Sequence, residues 1–486
     1  MIKDFWAFAH AFAQIFPLLL AMGMILALCS YIKKKTKYVH YAIDPHKAHG
    51  IILGYQNGLT VYSPYQQEGH TIVFGGPGSG KTSAVLIPTL RQWLGNGLIF
   101  DISGDIEKNV PTIPRKLVFD IISGTVPYNI FVPIDALRGN RPRQEESLIN
   151  LAEMIMPDEG DPGSAAFFYR EQGRKILTAA LLAFYFTGMD FVDICKRIMF
   201  SSWKDLFRAI DQVGNEKASG IISSFAGANE ANTIGCKQNC DAAIFLFATN
   251  DTVRRCVRRN RPNEPCFSPA AIEYHNVFVR APDSGLELFS PLLRLICAQC
   301  LQFFSARPLE NTTPILFALD EFASLGFINI VGPLRKFRKR HIRILLITQA
   351  LADLDVVYGR DLRSAIMNNF SNILLMEAFD VQMQEYFAKL IGRVSVSQQG
   401  LLPGSPANYA SSAHDWIIPP HKLAHLGNDL ILIHRGGHLR LRKAFYFQAP
   451  PTLGLTAAFS LPGKLIHTLH GAFIDLPDRF NHHSAD

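Results

Sequence analysis

The sequence predicts an α/β protein with a mostly parallel sheet, a helical insertion and an N-terminal membrane helix, and three observations support this prediction. Short apolar runs that end in a carboxylate alternate with helical stretches, which is typical of a parallel sheet covered on both faces. Between about Glu145 and Arg307 the apolar residues change to helical spacing. Residues 11–32 contain no charged side chain and can cross a hydrocarbon layer of about 30 Å.

The N-terminal apolar run predicts a single transmembrane helix at about residues 11–32. A cleaved signal peptide is the alternative, but the run is long for one and only Lys3 supplies a basic start. By the positive-inside rule, the basic residues after the span place the bulk of the chain in the cytoplasm. These residues are Lys33, Lys34, Lys35 and Lys37.

Length and composition bound the protein class. A chain of 486 residues exceeds the size of one ordinary core, so two or three domains are expected. The 48 Lys and Arg residues against 41 Asp and Glu suit an anionic partner without identifying it. Eight cysteines without a regular array indicate a reducing compartment. Four of them could supply zinc ligands, although not at the usual paired spacing, namely Cys236, Cys240, Cys256 and Cys266.

A glycine-rich loop of the pattern G-x-x-x-x-G-K-[ST] lies between a predicted strand, Thr71–Phe74, and a predicted helix that begins near Ser83. Glycines let backbone N–H groups surround a polyphosphate, because no Cβ blocks the approach and positive φ costs little. The lysine supplies a cation for the β/γ oxygens, and the threonine supplies a hydroxyl for Mg²⁺. The alternative is a glycine-rich turn with a chance lysine. The predicted ATP-binding residues of this loop are Gly75, Gly76, Pro77, Gly78, Ser79, Gly80, Lys81 and Thr82.

A second apolar run, Pro314–Leu319, leads directly into Asp320 and Glu321. This is the Walker B arrangement, in which the strand is buried and only its end meets solvent and metal. We expect Asp320 to hold Mg²⁺ through water, and Glu321 to orient and deprotonate the attacking water. Either carboxylate alone would be an ordinary strand-end acid, so the assignment depends on the phosphate loop.

A basic segment, Leu334–Arg343, precedes the predicted strand Ile344–Gln349. Gln349 lies at the strand end, where ring ATPases place a residue that senses the γ-phosphate. The basic segment has two functional interpretations, a finger that reaches a neighbour's site or a surface for nucleic acid. A solvated helix is the third interpretation.

The predicted helical insertion carries a further basic cluster. Such a cluster is most often a solvated face, and a DNA contact is the functional alternative. Its members are Arg254, Arg255, Arg258, Arg259 and Arg261.

The predicted domain boundaries follow from these changes of pattern. A closing hairpin is expected from Asp429–His434 and Leu439–Phe447 through Gly436 and Gly437. The predicted units are a membrane anchor at 1–37, the first part of the nucleotide-binding domain at 38–145, the helical insertion at 146–307, the second part of the nucleotide-binding domain at 308–447, and a tail at 448–486.

In the order and content of these motifs, the chain resembles the type IV secretion coupling proteins, the membrane-anchored ATPases of conjugative plasmids and related effector exporters. The resemblance runs from the anchor to about Phe447. The matching pieces after the anchor are Gly75–Thr82 continuing into Leu86-Ile87-Pro88, the Asp101 strand end, Tyr128-Asn129, the block Leu319-Asp320-Glu321-Phe322-Ala323-Ser324-Leu325-Gly326, Arg338, and Ile347-Thr348-Gln349 with Leu354 and Tyr358-Gly359.

The resemblance implies a RecA-like P-loop ATPase that forms a homo-hexamer in the bacterial inner membrane. Such a protein would bring a relaxase-bound DNA strand or a protein substrate to the inner-membrane components of a secretion channel. It also implies that Arg338 is an arginine finger and Gln349 a catalytic strand-end glutamine. The chain differs from the family in two respects, a single predicted span instead of two and Asp101-Ile102-Ser103-Gly104-Asp105 in place of Asp-Pro-Lys-Gly-Glu.

Two other functions fit the same motifs. One is a DNA translocase of the chromosome-partitioning or packaging type, which would be expected to carry a carboxy-terminal DNA-reading domain that the sequence does not show. The other is an ATP-gated receptor that docks substrates without steady turnover. The complete Asp320–Glu321 pair argues against the receptor, because a pure switch needs no water-activating base.

Overall fold

The computed structural model describes residues 40–41, 50–63, 69–102, 104–261, 264–311, 313–397 and 412–448. The predicted membrane helix and nearly all of the predicted tail lie outside these residues. Within them, one helical stretch, Asp283–Ser305, has the length and hydropathy of a membrane span, but 56% of its apolar window is buried inside the protein. It packs against the sheet, where the rings of Phe304 and Phe317 lie 5.5 Å apart.

Fourteen strands occur in the described part of the chain. Their bounds are β1 His40–Tyr41, β2 Ile52–Gln56, β3 Leu59–Tyr62, β4 His70–Phe74, β5 Asn96–Asp101, β6 Lys116–Asp120, β7 Asn276–Arg280, β8 Ile315–Leu319, β9 Ile342–Thr348, β10 Phe370–Leu375, β11 Arg393–Ser397, β12 Ser412–Trp416, β13 Asp429–His434 and β14 Gly437–Arg442. The predicted hairpin near the C-terminal end is confirmed, since β13 and β14 pair antiparallel.

One large sheet organises the described strands in the order β1-β3-β2-β14-β13-β10-β4-β9-β8-β5-β7-β6, and β11 and β12 form a separate hairpin. The seven strands from β10 to β6 pair in parallel, whereas the others extend the sheet antiparallel. Strands β4, β5, β8 and β9 are buried along their whole length. Successive side chains of a strand point to opposite faces of the sheet. In β4, Ile72 and Phe74 pack into the core on one face and Val73 packs into the core on the other.

Helices cover both faces of the parallel strands and form the helical unit beside them. Their bounds are Ile87–Gln92, Asp105–Asn109, Val132–Asp135, Arg141–Ile155, Ala165–Phe184, Phe191–Phe200, Trp203–Val213, Glu216–Ser223, Glu230–Thr249, Asp251–Cys256, Leu286–Ser305, Val331–Phe337, Leu351–Met367 and Val381–Ile391. Side chains of Ser164, Ser202, Asn215 and Asn229 cap four of these helices by accepting backbone N–H bonds.

The prediction that the helical insertion extends to residue 307 was wrong in one place. Strand β7 lies inside that range, yet it pairs with both β5 and β6 of the main sheet. The Asn276 side chain fixes its first residue by donating a 2.9 Å hydrogen bond to the Pro114 carbonyl. The run Val277–Val279 is only three residues long, so helical periodicity on both sides concealed it.

Candidate active site

The glycine-rich loop connects the end of β4 to a helix that begins at Thr82 with one π-helical turn. Gly78 and Gly80 have φ of 71° and 95°, values that favour glycine. A Cβ on Gly75 would lie 2.5 Å from Ser79 Oγ, so the loop needs glycine there to close on itself. Ser79 Oγ is buried and has no hydrogen-bond partner among the described residues. A tight loop that directs polar groups inward fits a phosphate group.

Lys81 turns its ammonium group back over this loop. Its Nζ donates hydrogen bonds of 2.6 Å to the Gly75 carbonyl and 2.9 Å to the Gly76 carbonyl. Burial lowers the pKa of Lys81, and the charges of Asp320, Glu321 and Asp353 oppose that shift. The lysine is therefore placed among three carboxylates at the phosphate loop.

Thr82 and Asp320 meet although 238 positions separate them in the sequence. The Thr82 hydroxyl donates a 2.8 Å hydrogen bond to Asp320 Oδ2, and the Glu321 N–H donates to Asp320 Oδ1 at 3.0 Å. Burial raises the pKa of Asp320 to about 6, while the Thr82 hydrogen bond lowers it. The carboxylate still ionises at neutral pH. The structure thus brings together the two side chains that the sequence predicts as Mg²⁺ ligands.

Glu321 has φ of 50° and ψ of 42°, in the left-handed region that glutamate rarely adopts. Such a conformation costs on the order of 1–3 kcal/mol and must be maintained by the surrounding structure. It turns the chain sharply between β8 and the short 3₁₀ helix Phe322–Leu325. Because of this turn, Glu321 lines the cavity beside Lys81 and a second, adjacent cavity.

Strand order explains why Gln349 lies near the same site. Strand β9 lies between β4 and β8, with Thr348 opposite Phe74 at the end of the phosphate-loop strand. Gln349 follows directly and lines the second cavity, of about 300 Å³, together with Glu321 and Asp353. Sequence reasoning missed Asp353. It lies one helical turn beyond Gln349, and its Oδ2 accepts the Ala350 N–H at 2.9 Å.

The main cavity, of about 470 Å³, contains Lys81, Thr82, Asp320 and Glu321 in its lining. Its other wall includes residues that sequence analysis did not select. Asp283 comes shortly after β7, so the strand-end rule would have found it had that strand been predicted. Tyr446 comes from the segment after β14 and carries no recognisable sequence signal. Other lining residues are Ile87, Ile102, Asp105, Ile106 and Asn109.

Asp101 has a structural role at the end of β5. Its carboxylate accepts the Ile106 N–H at 3.2 Å and the Glu107 N–H at 2.7 Å. These bonds cap the short helix Asp105–Asn109, and the αL conformation of Gly104 allows that helix to begin. The helix Asp105–Asn109, which follows the segment that differs from the family pattern, is therefore capped and lines the main cavity.

Arg338 lies at the amino ends of the parallel strands, whereas Lys81 lies at their carboxyl ends. Arg338 lies four residues before the start of β9, and its guanidinium donates a hydrogen bond to the carbonyl of Asn369, which directly precedes β10. Strand β4 lies between β9 and β10, so this contact spans the amino end of the phosphate-loop strand. Within one chain, Arg338 and the phosphate loop are separated by the length of a strand.

The basic cluster of the helical unit divides into paired and exposed arginines. Arg258 forms a salt bridge with Glu264, and the Arg259 guanidinium lies 5.7 Å from the centre of the Phe131 ring. Arg254 and Arg255 are exposed and line a cavity of about 660 Å³ beside Gly124. That cavity follows β6, five strands from β4, which is roughly 24 Å across the sheet.

The Thr82–Asp320 pair is the candidate metal site among the described residues. No group of three His, Cys, Asp or Glu side chains in this part of the chain is placed to hold a metal ion. Mg²⁺ bound with nucleotide takes only one or two protein ligands, and phosphate oxygens and water complete its octahedron. The pair fits this requirement.

Comparison with known proteins shows similarity to coupling proteins. A family model described as the type IV secretion-system coupling protein DNA-binding domain matches residues 55–416. The conjugal transfer protein TraG of Agrobacterium fabrum is 24% identical over 414 residues, which is 78% of this chain and 60% of TraG. The type IV secretion system-coupling protein VirD4 of Bartonella henselae is 22% identical over 417 residues, with coverage of 80% and 64%. The chain thus spans about three-fifths of the length of these curated relatives.

Solved structures of a coupling protein are similar to this chain in fold. An unbound form of the bacterial conjugative coupling protein TrwB matches with a TM-score of 0.65 at 15% identity, covering 83% of this chain and 90% of TrwB. TrwB in complex with ADP and Mg²⁺ matches with a TM-score of 0.66 at 14% identity, covering 86% and 95%. At this identity the likeness concerns the fold alone, and it confirms the predicted RecA-like α/β fold.

Proposed function

Because the chain belongs to the type IV secretion-system coupling proteins, as the match over residues 55–416 shows, we propose that it is a membrane-anchored ATPase that brings substrates to a secretion channel. The substrate is a relaxase-bound DNA strand, a protein, or both. The observation that carries this proposal is one cavity lined by Lys81, Thr82, Asp320 and Glu321. A phosphate-binding cation, a metal-binding pair and a general base in one cavity are what nucleotide hydrolysis requires.

ATP and Mg²⁺ are the proposed substrate and metal of this cavity. Structures of TrwB contain ADP with Mg²⁺, or a non-hydrolysable ATP analogue. In this chain the loop N–H groups and Lys81 would bind the phosphates, and Thr82 and Asp320 would hold the metal. Bound Mg²⁺ neutralises charge on the β- and γ-phosphate oxygens.

Glu321 and Gln349 complete the proposed chemistry of one subunit. Glu321 accepts the proton of the attacking water, which the turn after β8 allows because it places the carboxylate beside both cavities. Gln349 orients that water from the end of β9. Lys81 and the loop N–H groups stabilise the charge that develops on the transferred phosphoryl group.

Arg338 is proposed to act on the nucleotide of an adjacent subunit. Its position at the amino edge of the sheet excludes a contact with its own chain's phosphate loop. A guanidinium supplied from a neighbour can stabilise the transition-state charge, as arginine fingers do. Repeated head-to-tail contacts of this kind close into a ring, and a homo-hexamer is the proposed size.

Membrane attachment and substrate contact complete the proposal. Residues 11–32 anchor the chain in the bacterial inner membrane with a single span, beside the inner-membrane components of the channel. The exposed Arg254, Arg255 and Arg261 contact phosphates of the transferred DNA strand. Such contacts carry no base specificity, which suits a transporter that accepts any sequence.

Two substitutions test the proposal in cells and with purified protein. Lys81→Ala is expected to abolish nucleotide binding, hydrolysis and transfer, and Glu321→Gln to abolish hydrolysis and transfer while nucleotide binding persists. Membrane insertion of both variants, measured by fractionation, is the control. Transfer by the Lys81→Ala variant would contradict the motor role. Transfer by Glu321→Gln at the wild-type rate would instead support an ATP-gated receptor.

DNA stimulation separates the coupling protein from a general translocase. ATP hydrolysis by the full chain is measured with duplex DNA alone and with a relaxase-bound DNA strand. Stimulation only by the relaxase complex supports the proposed function. Full, sequence-independent stimulation by duplex DNA without any secretion component would favour the translocase.

A further inference from the structure

The segment that carries Arg338 is a short turn held in place by side chains from other parts of the chain. Helix Val331–Phe337 leads into the 3₁₀ turn Arg338–Arg340, and His341, with φ of 54°, connects that turn to β9. Arg338 is half-buried, whereas Lys339 beside it is exposed. The place of the Arg338 guanidinium therefore depends on what holds the turn.

His70 holds the chain on both sides of this turn. It is the first residue of β4, and its side chain is completely buried. Its Nε2–H donates a 2.8 Å hydrogen bond to the carbonyl of Leu334, which lies about one helical turn before Arg338. Its Nδ1 accepts the N–H of Ile344, in β9, at 3.0 Å. One imidazole thus ties the helix before the turn to the strand after it.

The imidazole is neutral and fixed in one orientation. Burial lowers the pKa of His70 to about 4, and the charges of Arg338 and Arg343 lower it further. A neutral ring carries one proton, so Nε2 donates while Nδ1 accepts. The Phe370 ring packs edge-on against the imidazole, with 6.3 Å between the ring centres. Both hydrogen bonds and this contact set the direction in which His70 holds Leu334.

Arg307 holds the other end of the turn. Its side chain is 1% exposed, and its Nε and Nη2 donate to the two carboxylate oxygens of Glu273 at 2.7 and 2.8 Å. Nη1 donates a 2.7 Å hydrogen bond to the carbonyl of Arg340, the last residue of the turn. Nη2 also donates to the Thr313 carbonyl at 3.0 Å. A bidentate ion pair makes this guanidinium a rigid support.

We propose that His70 is a positioning residue for hydrolysis, because its bond to the Leu334 carbonyl places the turn that presents Arg338 to the adjacent subunit. The inference rests on the proposed function, since it concerns the action of Arg338 on a neighbour's nucleotide. Strand β4 begins at His70 and runs into the phosphate loop after only five residues. This short strand therefore sets the distance between the phosphates that a subunit binds and the arginine that it supplies.

Two substitutions at His70 separate its two hydrogen bonds. Glutamine is long enough to bring its amide N–H to the Leu334 carbonyl, whereas asparagine is one methylene shorter and reaches only the place of Nδ1. An error of about 1 Å in the position of a catalytic group can lower the rate roughly 100-fold. We therefore expect His70→Asn to lower kcat about 100-fold and His70→Gln to retain most of the turnover. Both variants should keep the wild-type Kd for ADP with Mg²⁺.

The measurements use the full chain in detergent, with phosphate release for turnover and calorimetry for the Kd. His421→Asn, at an exposed histidine outside the turn, is the matched control. A fault in the subunit's own phosphate loop is the structural alternative, because His70 begins the strand that leads to it. Such a fault would weaken ADP binding, whereas a displaced Arg338 would leave it unchanged.

Subunit mixing separates these two explanations further. His70→Asn subunits mixed with Lys81→Ala subunits should recover part of the turnover, since the former supply an intact phosphate loop and the latter a correctly placed Arg338. Within a chain that already carries Arg338→Ala, adding His70→Asn should cost no further turnover, because the group that it positions is gone.

Several results would overturn the inference. They are wild-type turnover by His70→Asn, weaker ADP binding by that variant, no recovery in the mixture, and a further loss in the Arg338→Ala chain. Arg307→Lys provides a second test if His70→Asn does not fold, because lysine lacks the fork that reaches the Arg340 carbonyl. It should likewise lower kcat at unchanged Kd, and wild-type kcat would contradict the inference. Wild-type turnover by Arg338→Ala itself would overturn the proposed role of Arg338 and, with it, the inference.

Discussion

Replacing Asp320 with asparagine is expected to stabilise the folded protein while abolishing Mg²⁺-dependent hydrolysis. Burial raises the pKa of Asp320 from 3.8 to about 6, so keeping this carboxylate ionised in the folded state has an energetic cost. A shift of about 2 pKa units corresponds to roughly 3 kcal/mol. The asparagine has the same shape and no charge, so it removes most of that cost. The figure is an upper value, because only the amide oxygen of asparagine can accept, so one of the two hydrogen bonds that Asp320 accepts from the Thr82 hydroxyl and the Glu321 N–H is lost or reversed.

The sign of the pH dependence follows from the raised pKa. Between about pH 4 and pH 6 the folded state of the wild type binds this proton more tightly than the unfolded state does. The contribution of Asp320 to the free energy of unfolding therefore rises as the pH falls through 6. Above pH 6 the full cost of burying the ionised carboxylate is present. The advantage of Asp320→Asn should fall from about 3 kcal/mol at pH 8 to about 1 kcal/mol at pH 4.5.

Thermal unfolding of the detergent-solubilised chain, without nucleotide or Mg²⁺, measures the effect. With roughly 2 cal/mol/K of unfolding entropy per residue over roughly 400 residues, 3 kcal/mol raises Tm by about 3–4 °C. Glu321→Gln is the matched control, since Glu321 is only half-buried and its amide relieves less desolvation. A Tm gain that is absent at pH 8, or equal at pH 8 and pH 4.5, would refute the reasoning.

Three further predictions concern the ring, the DNA surface and the strand-end glutamine. Mixing Arg338→Ala with Lys81→Ala subunits should restore part of the ATP turnover that each variant lacks, because each supplies what the other is missing; no recovery at any ratio would contradict a role in trans. Arg254→Gln combined with Arg255→Gln should weaken DNA binding and lower the salt dependence by about 2 in slope, measured by fluorescence anisotropy. An unchanged slope would show that neither arginine contacts a phosphate. Gln349→Ala should lower kcat about 100-fold without changing the Kd for ATP, and an equal change in both would indicate a binding role.

The side chains proposed for catalysis were predictable because each follows a buried apolar run. Lys81, Asp320 and Gln349 lie just beyond β4, β8 and β9, and the pattern of such runs is visible in the sequence. Which of these strands lie next to each other in the sheet cannot be read from the sequence. Only the order β4-β9-β8 explains why three separate segments converge.

Residues that support the site from outside these motifs could not be predicted. Tyr446 follows an antiparallel hairpin, and its N–H reaches the Ser83 carbonyl although β14 lies three strands from β4 in the sheet. Asp353 occupies the third position of a helix, where an acidic residue ordinarily caps the backbone, so its proximity to Lys81 has no local signature. Asp283 was missed because β7 itself was missed. Each of these depends on contacts between distant parts of the chain.

ATP hydrolysis by this protein should depend on assembly, because Lys81 and Arg338 lie far apart within one subunit. Lys81 lies at the carboxyl ends of the parallel strands and Arg338 at their amino ends. The length of β9 separates them, and at about 3.3 Å per residue this is roughly 20 Å. No side-chain rotation covers that distance, so the proposed action of Arg338 on a nucleotide requires another subunit. In the proposed ring, the phosphate-loop end of one subunit would face the Arg338 end of the next, and this heterologous contact would repeat head to tail until the ring closes. Turnover should therefore rise with protein concentration in step with assembly, whereas nucleotide binding, which needs only one end, should not.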